Sequence, residues 1–163
     1  SRVAITDYQG SVVLDTFVRP TQPVTDYRYQ ETGLQPAYLA SAPYFHTVQQ
    51  RVMSLIQEKI LIGYALWHFF SVFGIAHPAL DTRDVAIFLP FRRSLQCRQI
   101  LPLPILVNRL MGRNIGLGYE HPVENARAAL DLFRTCQELW EGIIDSGSWP
   151  CTLPPAAYAS CFS

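Results

Sequence analysis

Apolar and polar residues alternate along RVAITDYQGSVVLDTFVRP (2–20) on both sides of Gln9-Gly10. A period of two around a glycine-containing turn predicts a β-hairpin at the start of the chain. The next stretch, TQPVTDYRYQETGLQPAYLASAP (21–43), is rich in Pro, Asp, Thr and Gly and reads as loop with short helical turns. In it, Asp26 and Arg28 suit a turn. A helical period then takes over in YFHTVQQRVMSLIQEK (44–59), where Phe45, Val48, Val52, Leu55 and Ile56 share one face and Pro43 suits the helix start. ILIGYAL (60–66) is continuously apolar, as in a strand buried on both faces, and WHFFSVFGI (67–75) follows as a helix. DVAIF (84–88) is a short strand or a turn. PLPILVNRLMG (102–112) enters a helix through proline and leaves it at Gly112. PVENARAALDLFRTCQELWEGII (122–144) is the clearest helix, with Ala126, Ala129, Leu130, Phe133 and Leu139 among its apolar positions.

Strands first, then helices and strands mixed, define an α/β chain, and 163 residues suit one core. We place a globular domain at 1–145 and a Ser/Gly/Pro-rich linker with an apolar tail at 146–163. Charged residues make up only 16% of the chain, a lean surface that suits burial against a protein partner. Thirteen basic residues balance thirteen acidic ones, so no global field draws the protein to nucleic acid; a local basic patch would have to do so. No apolar stretch is long enough to span a bilayer and no leader pattern opens the chain, so the expectation is a soluble, intracellular protein without membrane contact. Cys97, Cys136, Cys151 and Cys161 form no C-x-x-C pair, which argues against structural zinc. His68, His77 and His121 are too scattered for a metal site. No Gly-rich phosphate loop and no Gly-x-Ser-x-Gly elbow occurs.

The segments SVVLDTFVRP, VTDYR, ETGLQP, LASAPYF, ILIGYAL, HPALDTRD, PFRR and PVENARAALDLF, in this order, resemble the DEDDh 3′–5′ exonucleases of the ribonuclease-H-like superfamily. The likeness is to the branch of RNA exonuclease four and the interferon-stimulated 20-kDa exonuclease, and it runs from about Arg2 to Trp140. It implies a mixed five-stranded sheet flanked by helices. In that family four carboxylates hold two divalent metals and a His acts as general base. The second motif, Gly-His-Ala-Leu-His-Asn-Asp, aligns with Gly63-Tyr64-Ala65-Leu66-Trp67-His68-Phe69 and puts Phe69 in the acid's place. No carboxylate lies between Lys59 and Asp81. Anchoring the third motif on Ala126-Arg127 puts Asn125 in the Asp position and Glu120 in the His position; a one-residue gap would bring in His121 instead.

The first motif, Asp-x-Glu on a central strand, has no counterpart ahead of Arg2. AAYASCFS (156–163) resembles that strand, with Ser160 and Phe162 at the acidic positions, which implies a circular permutation with the tail as central strand. A strand donated by another chain, or one lying outside this sequence, stands as the alternative. On this reading no metal and no cofactor binds, and the domain is a catalytically inactive exonuclease-like module for protein interaction or scaffolding. The alternative is an inactive fold that still binds single-stranded RNA or DNA, through Tyr64, Trp67, Arg92, Arg93 and Arg98. The third is an active 3′–5′ exonuclease completed by residues outside the chain. For Phe69, Phe70, Trp67 and Phe73 the bland reading is apolar filling of a former metal cavity; the sharper one is a base-stacking platform. Asp84 reads as a brace for a loop outside the metal set. The resemblance alone favours a nuclear location.

Overall fold

The computed structural model describes residues 1–20, 28–32, 35–118 and 120–162, which fall into two compact units. The first comprises Ser1–Gln57 with Asn114–Ala128, and the second Glu58–Arg113 with Ala129–Ser163.

The first unit opens with the expected hairpin, β1 (Arg2–Thr6) antiparallel to β2 (Val12–Phe17). Asp7 closes the turn: its Oδ1 accepts the amides of Gln9 (3.0 Å) and Ser11 (2.9 Å). Gly10 has φ +87°, where a side chain would be strained. Across the pair, the Arg2 guanidinium donates to both Asp15 carboxylate oxygens at 2.9 and 2.8 Å, holding this carboxyl below its usual range. Two short helices follow, α1 (Tyr29–Thr32) and α2 (Pro36–Ala40), and then α3 (Phe45–Ile56), which buries Val48, Val52 and Ile56. Arg19 is fixed over the Tyr44 ring at 4.4 Å while donating to the Ala40 carbonyl at 2.7 Å. Arg28 has φ +45° and pairs with Glu31 at 3.2 Å; the Asp26 part of the expected turn lies outside the described residues.

In the second unit, β3 (Leu61–Gly63) runs parallel to β4 (Thr82–Asp84) in the register Leu61↔Thr82, Ile62↔Arg83, Gly63↔Asp84. Around them stand α4 (Leu66–Phe73), α5 (Leu89–Leu95), α6 (Leu103–Met111), the second half of α7 (Pro122–Thr135) and α8 (Gln137–Asp145). Trp140 and Phe88 are fully buried and stack at 3.9 Å, with Phe133 edge-on to Trp140 at 5.5 Å. Arg83 is buried as well; it donates to both Glu141 oxygens (2.7 and 3.0 Å) and to the carbonyls of Leu80 and Thr82. A buried charge is tolerable with its donors this well occupied.

Four expectations need correction. The apolar run 60–66 is a strand only to Gly63, because Ala65 turns into the left-handed region (φ +50°) and α4 begins at Leu66. The helix expected over 122–144 is two helices, interrupted at Cys136 (φ −134°, ψ 17°). That break shifts the helical phase, so Leu139 is 52% exposed and Trp140 takes the core position. Instead of one five-stranded sheet, the described residues form two two-stranded sheets. Finally, the tail is no central strand. Residues Ala156–Cys161 form a 3₁₀ helix; the tail's bridges among the described residues are single ones, Phe162 to His77 and, upstream, Cys151 to Phe88. Ser160 lies in that helix, exposed, and the Phe162 ring meets the edge of Phe70 at 5.5 Å. The same segment of the second unit is tied down by the His77 amide on the Cys161 carbonyl (2.9 Å) and by Tyr158 against His68. With Pro154 and Pro155 ahead of it, the segment packs through side chains and this single bridge rather than a strand ladder.

Candidate functional site

The parallel strands β3 and β4 end side by side at Gly63 and Asp84, and the chain turns into α4 and α5 from there. Loops at the carboxyl ends of parallel strands are the places where α/β sheets bind ligands. Asp84, 2% exposed, builds this corner. Its Oδ1 accepts the amides of Ala65 (2.9 Å) and Ala86 (3.0 Å), and its Oδ2 accepts that of Leu66 (2.8 Å). The carboxylate thus caps α4 and holds the strained Ala65, the bracing role read from the sequence. Burial pushes its pKa up to about 6, against the pull of the three amides. A Cβ at Gly63 would meet the Leu66 side chain, which would have to shift.

Tyr64 follows directly, half-buried, and its hydroxyl donates to the Leu101 carbonyl at 2.6 Å. Burial, and secondarily the Asp84 charge, push this phenol's pKa up. Trp67 is 3% exposed, so it is a core residue and offers no face to a base, contrary to the stacking expectation. Phe69 is half-buried, with its ring 5.1 Å from Phe73 and 5.8 Å from Phe70. Arg92, at the end of α5, turns inward and donates to the Arg98 carbonyl at 3.0 Å, while Arg93 and Arg98 are exposed.

In the first unit, the start of α7 brings two candidates together: the Asn125 amide donates to Glu120 Oε1 at 3.5 Å. His121 is occupied as a cap, its Nδ1 accepting the Glu124 amide at 3.3 Å. Glu124 in turn accepts the Gly116 amide at 2.7 Å. The sequence did not reveal this linkage, because no spacing rule ties Gly116 to Glu124.

The two metals implied by the resemblance do not fit these residues. Among the described residues no group of three or more His, Cys, Asp or Glu side chains is placed to hold an ion, and Phe69 presents a hydrocarbon ring. Two of the thiols are poor nucleophiles: burial pushes Cys136 to about 11 and Cys151 to about 12. No helix among the described residues is long and apolar enough to cross a membrane.

Comparison with known proteins points to a family. RNA exonuclease 4 of Cryptococcus neoformans is 38% identical over 141 residues, which cover 86% of this chain and 34% of that protein. The mouse RNA exonuclease 4 is 30% identical over 154 residues, covering 94% of this chain and 35% of its own. These similarities support a DEDD-type exonuclease family for this chain. It spans about a third of the length of these relatives. No protein-family model matches. The α/β fold is that of the Pan2 nuclease: the Neurospora crassa catalytic unit superposes with TM-score 0.73 over 90% of this chain and 25% of its own, at 20% identity. The Saccharomyces cerevisiae Pan2 module in complex with A7 RNA matches with TM-score 0.68 and 27% identity over 85% of this chain and 24% of its own.

These relatives overturn two expectations drawn from the motifs. An inactive interaction or scaffold module, and a chain that is not an enzyme, do not agree with relatives named as exonucleases. The expectation of inactivity rested on Phe69, on Asn125 and on the missing first acidic motif taken together, and the names of these relatives contradict it.

Proposed function

We propose that this chain is an RNA exonuclease domain, acting on single-stranded RNA and removing nucleotides from the 3′ end by hydrolysis. The observation that carries the reading is the 38% identity with a protein named RNA exonuclease 4. The yeast Pan2 module, similar in fold and 27% identical, is described in complex with RNA, which supports RNA as the substrate class. At the 3′ end, water adds to phosphorus and the bond to the 3′ oxygen of the preceding nucleotide breaks, releasing one nucleotide at a time.

The test uses 5′-labelled single-stranded RNA with Mg²⁺ or Mn²⁺, comparing this chain with any longer natural protein that carries it. Progressive shortening of the labelled strand by at least one of the two proteins is expected. Shortening by the longer protein alone would place the missing metal donors outside this chain. Intact RNA at protein excess in both metals, with both proteins, overturns the exonuclease reading.

A further inference from the structure

The chain is neutral as a whole, but its charge is unevenly placed. Between Asp84 and Glu120 there is no Asp or Glu, and this stretch holds Arg92, Arg93, Arg98, Arg109 and Arg113. Arg113 is neutralised by Asp131 at 3.0 Å. Arg92 spends its guanidinium on structure: it donates to the Arg98 carbonyl at 3.0 Å, and its Nε is buried without a hydrogen-bond partner among the described residues. An orphaned donor is a cost, and here it accompanies a contact that folds the connection after α5 back onto that helix.

The connection is fixed from end to end. Gln96 ends α5 in the left-handed region (φ +51°), and the Cys97 amide donates to the Arg92 carbonyl at 3.0 Å. At the far end Tyr64 holds the Leu101 carbonyl at 2.6 Å, and Pro102 leads into α6. The loop is therefore anchored to the corner at the carboxyl ends of β3 and β4. Arg93 and Arg98 project from this frame exposed, and neither side chain has an ion-pair or hydrogen-bond partner among the described residues. A loop already ordered loses little entropy on binding. The planar guanidinium fork matches phosphate oxygens in pairs.

We propose that Arg93 and Arg98 are the phosphate contacts for single-stranded RNA, with Arg92 and Tyr64 as positioning residues that hold the loop. The proposal rests on the reading of RNA as substrate and adds which residues grip the strand.

The experiment is fluorescence anisotropy with a labelled single-stranded RNA across a salt series, on wild type, Arg93→Ala/Arg98→Ala and Tyr64→Phe. Each lost phosphate contact lowers the slope of log K against log salt by about 0.7, so the double variant is expected to be shallower by about 1.4 and weaker by roughly 10- to 30-fold near physiological salt. Tyr64→Phe keeps both charges and loosens the loop, so it weakens binding severalfold with an unchanged slope. Both arginines are exposed, and an unchanged melting temperature of the double variant confirms intact folding. If wild type binds RNA and the double variant binds equally well, this proposal falls and the RNA reading stands. If wild type binds no RNA, both fall. If wild type prefers an acidic peptide to RNA through the same two arginines, the loop is a protein-docking site and the proposal is overturned.

Discussion

Replacing Asp84 with Asn tests which force rules the corner at the ends of β3 and β4. The change keeps the side-chain shape and the Oδ1 acceptor for Ala65 and Ala86, but it turns the partner of the Leu66 amide from acceptor into donor. Loss of that hydrogen bond costs about 1–3 kcal/mol at every pH. Against it stands the burial of a charge. Moving the carboxyl from 3.8 when unfolded to about 6 when folded disfavours the ionised native state by about 3 kcal/mol. Because the folded value lies above the unfolded one, the wild-type contribution is fully present below about pH 4 and is lost as pH rises through 6. The two terms nearly cancel at pH 7, so the stability difference there is small. At pH 4 the wild type should lead by about 1–3 kcal/mol. Urea unfolding of both proteins from pH 4 to 8 measures the difference, from which titrations common to both cancel. A wild-type advantage that grows from pH 4 to 8 refutes the reasoning: the three amides would then outweigh burial and hold the carboxyl low.

Gly63→Ala forces a methyl group into the Leu66 side chain and should cost about 1–3 kcal/mol in chemical denaturation; an unchanged midpoint would show that Leu66 moves aside freely. Glu141→Ala leaves Arg83 buried without its carboxylate. Since the Glu141 side chain is itself 32% exposed, solvent screening limits the loss to about 1–3 kcal/mol, and a change under about 0.5 would remove the pair from the stabilising set. Deleting residues 156–163 removes the Cys161 carbonyl from the His77 amide and Phe162 from Phe70. The protein should stay folded by circular dichroism and lose about 2–4 kcal/mol, whereas complete unfolding would mean that the tail supplies a central element after all.

What was legible in the sequence is what local chemistry determines. The hairpin at Gln9-Gly10, the helix over Phe45–Ile56 and the helix from Leu103 ended by Gly112 each combine a hydrophobic period with a turn or cap signal, and each forms. The misread elements depend on partners far along the chain. Nothing in ILIGYAL announces that the run must bend after Gly63; the cause is a carboxylate nineteen residues after Ala65, reaching two backbone amides. Likewise the single helical period through 122–144 hides the interruption at Cys136, which places Trp140 against both Phe88 and Phe133.

The candidate site divides along the same line. Arg92, Arg93 and Arg98 look equivalent in PFRRSLQCR, and so do the aromatic residues of YALWHFF. Only the fold separates an arginine that ties a loop from two that face solvent, and a buried Trp67 from a Tyr64 whose hydroxyl holds that loop. The same limit explains why the motif reading went too far on activity. Asking residue by residue whether a carboxylate is present treats a site as a sum of independent positions, yet a hydrolytic site is a collective arrangement of several groups. Neighbours at Glu120 and Asn125 make the point on a small scale: the side chains meet at 3.5 Å while His121 caps α7, a relation that neither motif register contains. Activity is a property of the whole arrangement, so the RNA assay carries more weight than any further count of acids.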